Sequence, residues 1–121
     1  MEEWELIRRL LAGANGSGQS FMVGLIAGDY LRDLAPEDAD DLKSEIFELA
    51  DELAQKMEEI GLLRPAAVRR GGAAVIGAME RTELGDELYQ ALCGRNVVML
   101  FESMHAQLDA GEIRRMLHQL R

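Results

Sequence analysis

One cysteine, six aromatic residues, two prolines and two histidines among 121 positions exclude several classes of protein at the outset. With Cys93 as its only thiol, the chain has no internal disulfide and no four-thiolate zinc site, and nothing points to an oxidising compartment. Cys93 closes an apolar helical stretch, so the expectation is a small buried side chain rather than a reactive thiol. The longest apolar run, Phe21 to Gly28, falls far short of the roughly 20 residues that cross a bilayer, and no membrane association is expected. The start, Met1-Glu2-Glu3, is acidic where a signal peptide is basic. The expected location is the cytoplasm. With so few aromatics, Leu, Ile, Val, Ala and seven Met must fill the core.

What is present is ordinary in amount and uneven in placement. Apolar residues make up 48% and charged residues 29%, a balance that suits one globular domain over 1–121. The net charge of -9 is not spread along the chain. From Pro36 to Ile60 ten acids stand against two bases, a local charge of -8. The next segment, Gly61 to Arg81, holds Arg64, Arg69, Arg70 and Arg81 against Glu80 alone. A field of this sign repels phosphate backbones, so direct nucleic-acid binding is not expected.

The spacing of apolar residues predicts an all-α fold, a compact bundle of six or seven short helical segments. Trp4, Ile7 and Leu11 mark a short amphipathic helix, and the glycine-rich stretch Gly13 to Gly18 ends it. Gln19 to Leu34 reads as a second helix, apolar on every side from Phe21 to Gly28 and therefore expected to be buried all round. Pro36 suits a first helical turn, and Leu42, Ile46, Leu49, Leu53 and Ile60 trace an apolar seam that Gly61 ends. Ala73 to Met79 is too short to separate helix from strand by period, and helix is favoured. Thr82 is positioned to cap Glu83 to Cys93. Asn96 is positioned to cap Val97 to Phe101, an apolar run continuing through Met104 and Leu108. Asp109-Ala110-Gly111-Glu112 has the form of a capping box before a closing helix. Two very apolar segments, near Phe21 and near Val97, are hard to bury in so small a chain, and this predicts a homodimer.

Three partial motifs carry less chemistry than their spelling suggests. Gly13-Ala14-Asn15-Gly16-Ser17-Gly18-Gln19-Ser20 imitates a phosphate loop, but Gln19 replaces the lysine and a helix precedes it, so it reads as a glycine-rich connection. Glu102-Ser103-Met104-His105 puts one carboxylate and one imidazole at helical spacing, where a di-iron bundle needs two such pairs and further carboxylates. One cysteine and two distant histidines compose no nucleophilic triad.

The most informative pattern is a pair of acidic segments. Glu45 and Glu48 stand three apart, as do Glu83 and Asp86, so each helix can present two carboxylates on one face. Four such oxygens, brought together, would suit Mg²⁺. The pattern resembles the MazG-type all-α nucleoside triphosphate pyrophosphohydrolases, which pair a Glu-x-x-Glu helix with a Glu-x-x-Asp helix. That resemblance implies Glu45, Glu48, Glu83 and Asp86 as metal ligands, Mg²⁺ as cofactor, and Arg69 and Arg70 as candidates to meet the triphosphate. The reading favoured by charge is different and non-enzymatic. It is an acidic helical interaction module, of inhibitor, immunity, adaptor or chaperone type, that needs no cofactor. Asp38, Asp41, Glu45, Glu48, Glu52 and Glu59 would face a basic protein partner.

Overall fold

The computed structural model describes residues 3–16, 21–33, 36–66, 69–70, 73–74 and 77–120; within these, the side chains of 36–41, 69–70 and 73–74 lie outside the description. Six helices appear among the described residues: α1 (Glu3–Gly13), α2 (Val23–Arg32), α3 (Pro36–Glu59), α4 (Glu83–Leu92), α5 (Val97–Ser103) and α6 (Ala110–Leu120). Four very short strands, β1 (Leu63–Pro65), β2 (Arg69–Arg70), β3 (Ala73–Ala74) and β4 (Met79–Arg81), lie between α3 and α4. The fold is a compact, mostly α bundle, as the apolar spacing predicts. None of the described helices is long and apolar enough to cross a membrane.

α1 is the hub. Trp4, Leu6, Ile7, Leu10 and Leu11 are each at most 2% exposed, and the helix packs against α2, α3, α4 and α5. Burying one such side chain stabilises the fold by roughly 1.5–3 kcal/mol, so α1 binds these four helices to one core. Its N-terminus is tied down from far along the chain. The Glu102 carboxylate accepts the Trp4 backbone N–H, and the Trp4 indole N–H donates to the Ala106 carbonyl at 3.1 Å. The Trp4 ring meets Phe101 edge-on at 4.8 Å.

α3 forms as its seam requires. Ile46, Ala50, Leu53 and Met57, spaced four, three and four apart, are buried on one side, with Leu42, Leu49 and Ile60 partly covered. Gly61 takes a φ of 87°, a left-handed turn that suits glycine, and the chain then enters β1. α4 begins as predicted. The Thr82 hydroxyl accepts the Gly85 N–H at 3.1 Å and donates to the Gly61 carbonyl, which ties the start of α4 to the end of α3.

Several expectations need correction. Ala73 to Met79 is not helical at its described positions. Ala73 and Ala74 pair antiparallel with Arg70 and Arg69, and Met79 opens β4, which pairs antiparallel with β1. Gly77 has a φ of 81°, which no helix interior holds, and the residues around it pair across short antiparallel ladders instead. The second helix starts at Val23, and it is not buried all round: Met22 and Leu25 are 54% and 61% exposed. Asn96 stands before α5 but sits at φ 64° and makes no side-chain cap, and α5 stops at Ser103. The capping box before α6 is half formed. Asp109 accepts the Glu112 N–H at 3.0 Å, while Glu112 reaches the Gln107 N–H. Cys93 is exposed, because it lies just past the end of α4.

Candidate functional site

The face of α3 opposite its seam is built almost wholly from carboxylates. Glu45, Glu48, Glu52 and Glu59 follow one another at three-, four- and seven-residue steps, with Gln55 completing the stripe, and Asp51 and Glu58 flank it; all are exposed. Fourteen residues of helix span about 21 Å. From Glu45 to Glu59 six acids face one base, Lys56. Asp38 and Asp41 stand in the first two turns of the same helix, and their side chains lie outside the described residues.

Among the described residues, none of the α3 carboxylates forms an ion pair. Of the arginines that follow α3, Arg64 and Arg81 are engaged elsewhere. Arg64 pairs with Glu80 at 3.4 Å. Arg81 pairs with Asp86 at 3.1 Å, donates to the Leu11 carbonyl at 2.7 Å and lies 4.3 Å from the centre of the Tyr89 ring. Like charges one turn apart cost an isolated helix about 0.2–0.5 kcal/mol per pair. Glu58 and Glu59, in the last turn, also oppose the helix dipole. Among the described residues, no ion pair offsets these costs from Glu45 to Glu59.

The other candidate residues are placed apart. Glu83 and Asp86 lie in the first turn of α4, both exposed. α3 and α4 each pack on α1, and among the described residues no group of three or more Asp, Glu, His or Cys side chains could hold a metal ion. Glu45 and Glu48 therefore do not join Glu83 and Asp86 in one cluster. Arg69 and Arg70 stand on β2, with side chains outside the description. Glu102 is turned to the start of α1, whereas His105 lies beyond the end of α5 at φ 50°, so the two do not share a helical face. The glycine-rich stretch follows a helix, and its Gly16 N–H donates to the Met79 carbonyl at 3.2 Å; positions 17–20 lie outside the described residues.

Two features were not foreseen from sequence. A cleft of about 240 Å³ between α1, α3 and the α5–α6 connection is lined by Glu3, Leu49, Glu52, Leu53, Lys56, Gln107 and Leu108. Burial, and secondly the nearby Glu102 carboxylate, hold the Glu3 carboxyl above its ordinary value. A larger cleft of about 590 Å³, between β1, α4 and α6, sets Arg64, Arg114 and His118 beside Glu83 and Glu87. Each cleft joins segments distant in sequence, and no local pattern announces either one. The chain matches no known protein family, no curated protein and no solved structure.

Proposed function

We propose that the chain is a non-enzymatic interaction module whose α3 face binds a basic protein surface, in the manner of a small inhibitor, immunity protein, adaptor or chaperone. The observation that carries this reading is the exposed row of carboxylates Glu45, Glu48, Glu52 and Glu59 with no ion pair among the described residues. Opposed charge of this kind accelerates association and selects the partner. It also disfavours nucleic acid, whose binding depends on Lys and Arg at phosphates.

The proposal places the module in the cytoplasm as a homodimer. Met22 before α2, Leu25 within it, and Met99, Leu100 and Met104 at α5 are exposed apolar side chains that a second copy would cover. Sedimentation equilibrium of the wild type against Leu25→Glu tests the dimer; a monomeric wild type removes it. The partner reading is tested by reversing Glu45, Glu48 and Glu52 to Lys and comparing capture of a partner from the native host. Capture should be lost while far-ultraviolet circular dichroism keeps its helical signal, and unchanged capture overturns the reading.

A further inference from the structure

The acidic face is not uniform. Next to its middle, the cleft between α1, α3 and the α5–α6 connection has an apolar lining of Leu49, Leu53 and Leu108, with Glu3 and Glu52 supplied from two different helices. At about 240 Å³ it is smaller than the ~300–1,000 Å³ typical of small-molecule sites. Its make-up, an apolar wall and carboxylates, complements a long aliphatic stem that ends in a cation. We propose that this cleft is a socket for one arginine or lysine side chain of the basic partner.

The proposal rests on the acidic-face reading and deepens it by naming where the partner inserts. The stem would lie along Leu49, Leu53 and Leu108, and the cation would meet Glu3 and Glu52. Arginine fits this best, because its planar fork can engage carboxylates from two directions while its stem stays in contact with apolar carbon. The Glu3 carboxyl, held above its ordinary value by burial and by Glu102, makes no ion pair among the described residues, and such a cation would supply one. Lys56, one turn after Glu52 and also lining the cleft, makes no ion pair among the described residues and competes with the incoming cation for the same carboxylates.

The test uses the full chain and blocked hexa-arginine and hexa-lysine peptides, followed by calorimetric titration and by amide NMR shifts. Hexa-arginine should move the amides of Leu49, Leu53, Gln107 and Leu108 and bind more tightly than hexa-lysine. Glu3→Gln and Leu108→Ser, of which the second leaves the charge unchanged, should each weaken binding about fivefold. Lys56→Ala should tighten it clearly more than Lys43→Ala, which removes the same charge farther from the cleft. Hexa-lysine binding as tightly as hexa-arginine, with the same shifts, would make the socket one for any long cation. Peptide binding that Glu45→Lys with Glu48→Lys weakens, but Glu3→Gln and Leu108→Ser do not, would overturn the socket and leave the acidic-face reading standing. Absence of hexa-arginine binding overturns the socket as well, whereas the acidic-face reading fails only if partner capture survives reversal of Glu45, Glu48 and Glu52.

Discussion

The Glu102 carboxylate accepts a hydrogen bond from the backbone N–H of Trp4, so a residue of α5 caps the first turn of α1 across 98 positions of sequence. A charged acceptor at a helix N-terminus satisfies an otherwise orphan donor and meets the positive end of the dipole. Glu102→Ala should therefore destabilise the fold by about 1–2 kcal/mol in chemical denaturation. His105→Ala, beyond the end of α5, should change stability little. Equal losses from both would mean that the two side chains act as a pair, against their separate placement in the fold.

Two glycines predict opposite outcomes for the same substitution. A Cβ on Gly85 would stand 2.0 Å from the Leu62 carbonyl oxygen, where α4 rests on the chain leaving α3. Gly85→Ala should cost about 3 kcal/mol, because backbone must move to admit it. A Cβ on Gly28, inside α2, meets nothing within 4 Å. Gly28→Ala should stabilise by about 0.5–1 kcal/mol through helix propensity. Thermal unfolding of the two variants checks both signs.

Glu3 and Glu5 are near neighbours whose linkage to pH has opposite sign. Burial, then Glu102, raises the Glu3 carboxyl. The native state thus holds more protons than the unfolded chain between the ordinary and the raised value, and stability from this group falls as pH rises through that window. Glu5 is lowered, chiefly by its hydrogen bond with Arg8, against burial, and then by Arg9. Its contribution is present above the ordinary carboxylate value and is lost as pH falls through the lowered one. At pH 7 Glu3→Gln should be neutral to stabilising, and Glu5→Gln should cost up to about 1 kcal/mol. Both differences should vanish in acid below the lowered Glu5 value, as denaturation at a series of pH values will show.

The helices were legible where one apolar stripe repeats over several turns. The seam of Leu42, Ile46, Leu49 and Leu53 predicts α3 to within a residue at its end, since a long stripe leaves only one buried face. Thr82 was legible as a cap because capping needs only residues three apart. Strands of two or three residues were not, because their stability lies in partners such as Leu63 and Arg81, eighteen positions apart. The exposure of Met22 and Leu25 was hidden for a related reason: burial depends on which neighbours the fold supplies, and among the described elements α2 packs chiefly on α3 and α1. Of the candidate site, the acidic stripe was readable from spacing alone. The freedom of its carboxylates from Arg64 and Arg81 was not, because those arginines find Glu80 and Asp86 through the fold.

The carboxylate row of α3, which forms no ion pair among the described residues, is the surface that the proposed partner would meet. The direct measurement compares wild type with the variant in which Glu45, Glu48 and Glu52 are all lysine, by chemical denaturation and by capture of a partner from the native host. The predicted result is a variant at least as stable as the wild type that no longer retains the partner. A variant that unfolds, or one that retains the partner undiminished, would contradict it.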